Sequence, residues 1–384
     1  MLARSSPSVA LLCPGLGRAY RGYERFSDEL FHSLPRTADV VLFKGGGDRS
    51  DREIVVGGLS RDNRLAKALG RVRGDRFLWE AVSFGLLAWP ELLRRGVRVL
   101  HYSEPPLNNL FSRLEKLTWH APRRLFSHAL AMDPAHCLRC HHLHQTSPVA
   151  YERARDIGVP VDSMTLLPYG LEAARFTPPS PELRRELRAQ YRVPEDVPVV
   201  LCVSALNRGH KRVDRLVHAM ARLKGDAWLL LCGAVEDRTI LEEARALLGD
   251  RLLHLYLPPA AMVDAYALAD LFVSPSIVEG FGLAILEAAL SGLPPVVNDS
   301  PHFRWLLGPR WPARLDMSDD EALVAALQEA LENLPGLRQE IAAMRRELVE
   351  RFDWPQLVPG YLEMYRRAEQ EEKLTIADRL APCR

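Results

Sequence analysis

The sequence predicts an α/β protein of two domains, each built on a parallel sheet. Three observations carry this. The chain has 384 residues, long enough for two domains of ordinary size, with the globular balance of 47% hydrophobic and 26% charged residues. Leu271 to Val297 reads as strand, glycine loop, helix, strand, a βαβ unit of a parallel sheet. Short apolar runs then alternate with helical patterns through both halves, starting at Val9–Cys13 and again at Val199–Val203.

In order, Val9–Cys13 is a buried strand, followed by the loop Pro14-Gly15-Leu16-Gly17 and a helix through Phe26, Leu30, Phe31 and Leu34. Strand, glycine loop, helix is a geometry that lets phosphate approach backbone, although the spacing is not G-x-G-x-x-G. Val40–Phe43 is a second strand, and Lys44 to Asp51 a loop. Residues 61–76 carry Arg61, Arg64, Lys67, Arg71, Arg73 and Arg76, either a solvated helix face or a surface for an anionic acceptor or lipid. A helix through Phe84, Trp89 and Leu93 leads to the strand Val97–Leu100. Glu104 follows that strand's C-terminal end, where it either caps the next helix or meets a ligand hydroxyl. Arg123–Phe126 leads into Ser127 and His128.

Cys137-Leu-Arg-Cys140-His141 has haem-attachment spacing, and His136, His142 and His144 lie nearby. Haem requires export, and no signal sequence is evident. A zinc site needs four placed ligands, so the alternative is a short helix running into the strand His142–Ser147. In the second half, Val199–Val203 is a strand, the loop Ser204 to Arg212 between it and the helix Val213–Leu223 is strongly basic, and Trp228–Gly233 is the next strand. Such a loop at a strand's C-terminal end suits a diphosphate. Leu252–Leu257 is a further strand, and helices follow near 320–334, 336–351 and Leu357–Arg367.

Composition bounds the partners. Net charge is +1, which gives no reason to expect nucleic acid, but residues 1–172 hold 24 Lys+Arg against 18 Asp+Glu and the remainder 26 against 31. A basic first half suits an anionic acceptor or a membrane surface. Cys13, Cys202 and Cys232 lie in apolar strand-like runs, a usage that fits a reducing compartment; Cys383 stands near the end of the chain. No apolar run approaches the ~20 residues of a membrane span. The expectation is a cytoplasmic protein, with peripheral membrane association as an option.

The central stretch carries the chemistry. Glu279 precedes the helix Leu283–Ser291, and Glu287 lies within it. The helix N-terminus offers unpaired N–H groups near Gly282 and Leu283 and a positive dipole end, and Gly280 and Gly282 permit close approach of a ligand. Gly292 stands where a C′ glycine ends a helix.

Glu279-Gly-Phe-Gly-Leu-x-x-x-Glu287 resembles the E-x7-E signature of the retaining GT-B glycosyltransferases of family 4. The resemblance implies an α/β GT-B fold, two Rossmann-like domains whose parallel sheets face a central cleft. It implies a nucleoside-diphosphate sugar as donor and an acceptor that the sequence does not identify. Glu279 would contact the donor sugar, Glu287 the nucleotide ribose, and Gly280, Phe281, Gly282 and Leu283 the diphosphate. Gly15 and Gly17 resemble the family's N-terminal glycine loop, and His128 the histidine beside the donor sugar. Lys211 matches the family's basic-loop lysine; the usual arginine position holds Ala205, so Arg208 stands in for it. Pro168 to Pro178 resembles the interdomain segment, which implies domains at 1–170 and 171–350, with 351–384 returning to the first. No Asp-x-Asp motif appears, so neither metal nor cofactor is expected. The rival readings are a GT-B sugar-nucleotide epimerase and a non-catalytic glycosyltransferase-like binding subunit.

Overall fold

The structure is a computed structural model that describes residues 8–19, 21–61, 63–72 and 76–380. Arg73 and Cys383 lie outside the described residues, as do the side chains of Lys67 and Arg71. The chain divides into two compact units, Met1–Leu171 with Trp354–Arg384, and Glu172–Asp353.

The first unit runs β1 (Val9–Cys13), α1 (Gly22–Ser33), β2 (Val40–Lys44), β3 (Glu53–Val55), α2 (Arg64–Val72), α3 (Arg76–Arg94), β4 (Val99–Tyr102), α4 (Pro105–Leu114), β5 (Arg123–His128), β6 (His142–Gln145), α5 (Pro148–Asp156) and β7 (Met164–Leu166). The second runs α6 (Pro181–Gln190), β8 (Val199–Val203), α7 (Val213–Arg222), β9 (Trp228–Cys232), α8 (Arg238–Leu248), β10 (Leu252–Leu255), α9 (Met262–Leu268), β11 (Leu271–Val273), α10 (Leu283–Leu290), β12 (Pro295–Asn298), α11 (Pro301–Leu307), β13 (Arg314–Leu315), α12 (Asp320–Glu332) and α13 (Leu334–Phe352). The chain then re-enters the first unit as α14 (Trp354–Gln370) and α15 (Ile376–Leu380).

Among the described residues each unit holds one sheet, in the order β3-β2-β1-β4-β5-β6-β7 and β10-β9-β8-β11-β12-β13. Every pairing is parallel, with Val9 beside Val40 and Val99, and Val199 beside Trp228. Parallel strands covered on both faces must be apolar throughout, which is why Val9–Cys13 and Leu229–Cys232 are buried along their whole length. The first core gathers Phe84, Tyr102, Phe111, Phe126 and Leu143, and Ile376 of α15 packs into it. Gly292 has φ +78° and ends α10 as the sequence predicts. Strands β3, β7 and β13, of two or three residues, are not foreseen from the sequence, nor are α5, α11 and α15; the loop expected over Lys44–Asp51 leads into β3.

The return of α14 is held by polar contacts. Trp354 Nε1 donates to Glu29 Oε2 at 3.0 Å, and the Tyr361 hydroxyl to the Pro168 carbonyl at 2.9 Å. A Cβ on Gly170 would collide with the Trp354 ring, so that glycine is required by packing. Within the basic stretch Arg64 opens α2 and Arg76 opens α3; Arg61 is no solvated charge, since its guanidinium and its backbone N–H both bond the buried Glu80 carboxylate.

Beneath α14 lies a buried polar chain. Tyr365 Oη stands 3.0 Å from His101 Nδ1, His101 Nε2 2.7 Å from Ser127 Oγ, Ser127 Oγ 2.7 Å from His144 Nδ1, and His144 Nε2 2.7 Å from the Leu167 carbonyl. The carbonyl only accepts, so the protons run one way: Tyr365 to His101 to Ser127 to His144 to Leu167. That order is the one for neutral rings, and burial keeps both neutral near pH 7, lowering His101 well below its ordinary value and His144 to about 4. Ser127→Ala would leave His101 Nε2–H without its acceptor and His144 Nδ1 without its donor. A loss of about 1–3 kcal/mol is expected for such an unsatisfied buried site; urea unfolding measures it, and an unchanged midpoint would show that the chain contributes nothing.

Candidate functional site

In each sheet the strand order reverses once, between β1 and β4 and between β8 and β11. At such a switch point adjacent loops diverge above the C-terminal strand ends and leave a crevice, the usual ligand position in open α/β sheets. At the second switch point Lys211, from the loop after β8, meets Glu279, from the loop after β11.

Lys211, from the loop after β8, donates to both carboxylate oxygens of Glu279, at 2.9 and 2.7 Å, and Ser274 Oγ stands 3.4 Å from Glu279 Oε1. The sequence assigns these two residues separately to diphosphate and sugar; the fold makes them a partly buried ion pair. Backbone strain places the lysine, because the next residue, Arg212, has φ +50° at the N-cap of α7. The lysine's own N–H donates to Asn207 Oδ1 at 3.3 Å, and Arg212 Nη2 donates to the Met317 carbonyl at 3.0 Å.

Gly282 is the N-cap of α10 with φ +103°, a conformation that a side chain would strain. The first N–H groups of α10 have no acceptor within the helix, so its positive end faces the region after β11. Phe281 presents only backbone there: its ring is buried against His302, Trp305 and Phe352, and its carbonyl accepts from His302 Nε2 at 2.8 Å. Asn298 Nδ2 secures the same loop through the Ile277 carbonyl at 3.0 Å. Glu287 is no solvent-facing residue. It is buried, and Tyr266 Oη donates to its Oε2 at 2.6 Å. Neither Tyr266 nor His302 carries a local signal in the sequence, since both lie 21 residues from the groups they hold. Asn298 carries a local signal, a polar side chain that ends an apolar strand.

Arg208 is placed differently from its expectation. It bonds Glu243 at 2.7 Å, Thr239 Oγ1 at 3.2 Å and Asp237 at 3.3 Å, with Asp214 at 3.7 Å. Three carboxylates outweigh any pull toward the Lys211 side, so the guanidinium lies against α8. The hollow at the N-terminal edge of this sheet, about 590 Å³, holds no comparable arrangement, because Arg184, Arg188 and Arg338 all bond Asp270.

At the first switch point the two glycines have internal reasons. A Cβ on Gly15 would collide with the Glu24 carboxylate and the Arg21 guanidinium, and one on Gly17 with the backbone of Gly46. Glu24, paired with Arg21, and Glu104 are both buried. Glu104 occupies the N-cap of α4 yet makes no capping bond, which overturns the capping reading. Its Oε2 accepts from the Ser103 N–H at 3.2 Å. Burial, reinforced by the charge of Glu24, pushes Glu104 up to about 8. His128 is wholly buried; its Nε2 donates to the Met132 carbonyl at 2.8 Å and its Nδ1 meets the Gln145 amide at 2.7 Å, so both ring nitrogens have protein partners.

The Cys137–His141 stretch forms no ligand set. Among the described residues no group of three His, Cys, Asp or Glu is placed to hold a metal ion. The Cys137 thiol points to Met132 Sδ at 3.2 Å, and burial raises both thiols, Cys140 to about 12, which disfavours thiolate. Among the described residues no helix is long and apolar enough to cross a membrane.

The family Glycosyl transferases group 1 matches residues 184–347. D-inositol 3-phosphate glycosyltransferase of Xylanimonas cellulosilytica is 29% identical over 58% of this chain and 56% of its own length. A GDP-mannose-dependent monoacylated alpha-(1-6)-phosphatidylinositol monomannoside mannosyltransferase of Corynebacterium glutamicum is 29% identical over 50% of this chain and 53% of its own length. The chain thus spans little more than half the length of these relatives. Sucrose-phosphate synthase of Thermosynechococcus elongatus is similar in structure, with a TM-score of 0.77 and 20% identity over 94% of this chain and 98% of that one. The fold is GT-B.

Glu104 yields a pH test. Its folded value lies above the ordinary carboxylate value, so the folded state holds a proton that the unfolded state has lost; the associated stability is complete below about 4.5 and falls as pH rises toward 8. Between about pH 6.5 and 8 the wild type should lose on the order of 1 kcal/mol per pH unit, a loss that Glu104→Gln largely removes. Urea midpoints of both proteins across that window decide it; parallel losses would mean that Glu104 ionises as it does in water.

Proposed function

We infer that this chain, which carries a glycosyl transferases group 1 domain over residues 184–347, moves a sugar from a nucleoside-diphosphate sugar to an acceptor with retention of anomeric configuration. The observation that supports this most is the Lys211–Glu279 pair beside the first turn of α10. The Corynebacterium relative, named for its dependence on GDP-mannose, supports a nucleoside-diphosphate sugar as donor class.

In this reading the pair holds each partner in place until the donor arrives. A diphosphate brings negative charge that competes with Glu279 for the Lys211 ammonium and also meets the free N–H groups at Leu283 and Ala284. Glu279, released, accepts hydroxyls of the donor sugar and orients its anomeric carbon. Glu287, held by Tyr266, takes the ribose. As the sugar–phosphate bond breaks, charge develops on the leaving diphosphate, where Lys211 and the helix terminus stabilise it. A departing phosphate oxygen on the same face takes the acceptor's proton, which requires no protein base on the opposite face. His128 and Arg208 have no direct part unless their present bonds are released.

Lys211→Ala should weaken free nucleoside-diphosphate binding about tenfold or more, the value of a charge-assisted hydrogen bond. Glu279→Gln should keep the fold and nucleotide affinity while transfer falls on the order of 10²–10³. Calorimetry and a transfer assay separate the two effects; wild-type turnover by folded Glu279→Gln would sink the assignment.

The stereochemical expectation is that an α-linked donor gives an α-linked product, with chelator present. The anomeric proton coupling of the product reads this directly. A β product, or strict dependence on added divalent metal, would refute the front-face route.

A further inference from the structure

At the N-terminal edge of the first sheet, α4 passes through a short turn, Glu115–Leu117, into the loop that begins β5. The tip of this loop is apolar. Leu117 is 84% exposed and Trp119 88%, against 62% for Tyr256, the next most exposed large hydrophobic among the described residues. Single exposed apolar residues are ordinary, but a tryptophan and a leucine two positions apart at a loop tip are not. The loop is also held in shape, since Thr118 Oγ1 donates to the Leu114 carbonyl at 2.9 Å.

Cations surround the tip. Arg113, Lys116 and Lys373 are exposed, and none has an ion-pair partner among the described residues. Trp119 borders a groove of about 410 Å³ that Arg98, Arg123 and Lys373 also line. The groove's two carboxylates are already neutralised, Glu115 by Arg124 at 2.5 Å and Glu369 by Arg98 at 2.5 Å. Glu372 is an exposed acid next to Lys373, and the edge remains net positive.

We propose that this edge is a membrane-contact surface for an anionic lipid bilayer, with Trp119 and Leu117 entering the interfacial layer and the surrounding cations meeting lipid headgroups. Tryptophan favours that layer because its ring is apolar and its N–H still finds polar partners. Lysine and arginine near an anionic leaflet are attracted over roughly a Debye length. A stable protein interface buries about 800 Å² per partner, far more apolar surface than two side chains at a loop tip supply, whereas interfacial insertion needs no more than such a tip. Strand β5 runs from this loop to His128, so about 20 Å of strand separates the surface from the loops at the sheet's other edge.

The test is cosedimentation of the full chain with vesicles of phosphatidylcholine alone and of phosphatidylcholine with phosphatidylglycerol. Binding is expected to the anionic vesicles only and to weaken with salt. Leu117→Asn combined with Trp119→Asn should reduce it on the order of tenfold or more, and Lys116→Glu with Lys373→Glu should reduce it as well. Thermal midpoint and nucleoside-diphosphate affinity, which belong to other parts of the chain, should not change in either variant. Failure of the wild type to bind anionic vesicles, or equal binding by the Leu117/Trp119 variant, would overturn the proposal. So would light scattering that shows a dimer lost in that variant, since the tip would then serve self-association.

Discussion

Parallel strand pairing is the constraint from which the rest follows. A parallel strand must be re-entered from the same end, so a crossover covers each face of the sheet and leaves the strands no solvent side. Charge is thereby excluded from β1, β8, β9 and β11 and confined to the loops at their ends. The reversals between β1 and β4 and between β8 and β11 then gather two loops each above the C-terminal edge. Lys211 and Glu279, 68 residues apart in sequence, meet because their loops follow β8 and β11, strands that are adjacent in the sheet.

The two switch points differ in their electrostatics. The second offers an ammonium, a carboxylate and a helix N-terminus, a set that receives a ligand with a negative centre and hydroxyls around it. The first offers Glu24 and Glu104, buried so deeply that burial works against their ionisation and Glu104 keeps its proton near neutral pH. A sugar hydroxyl would meet hydrogen-bonding partners there.

Support for the candidate site comes from residues that touch no proposed ligand atom. His302 and Asn298 hold the carbonyls of Phe281 and Ile277, and Tyr266 aims the Glu287 carboxylate. The buried Phe281 ring anchors the loop in the apolar layer of α11 and α13, so Gly280 and Gly282 are mobile elements in sequence only; their surroundings determine their course. In the first unit the histidine chain under α14 plays the corresponding part, tying Tyr365 to three strands through neutral rings.

What the sequence determines by itself is periodic or local. Apolar runs mark β1, β2, β8, β9 and β10, the glycine-bounded unit from Leu271 to Val297 declares a parallel sheet, Gly292 ends its helix, and the spacing of Glu279 and Glu287 points to the family. These are legible because each depends on residues within a turn or a strand of one another. Tertiary structure alone decides the rest. Strands β3, β7 and β13 have too few residues to show a period and exist because a neighbour offers an open edge. Arg208 turns to α8 because Asp237 and Glu243, 29 and 35 residues on, fold against it. Glu104 is a buried acid rather than a cap, and His128 a bonded core residue, because burial and partner choice depend on what the other strands bring, which no window of sequence contains.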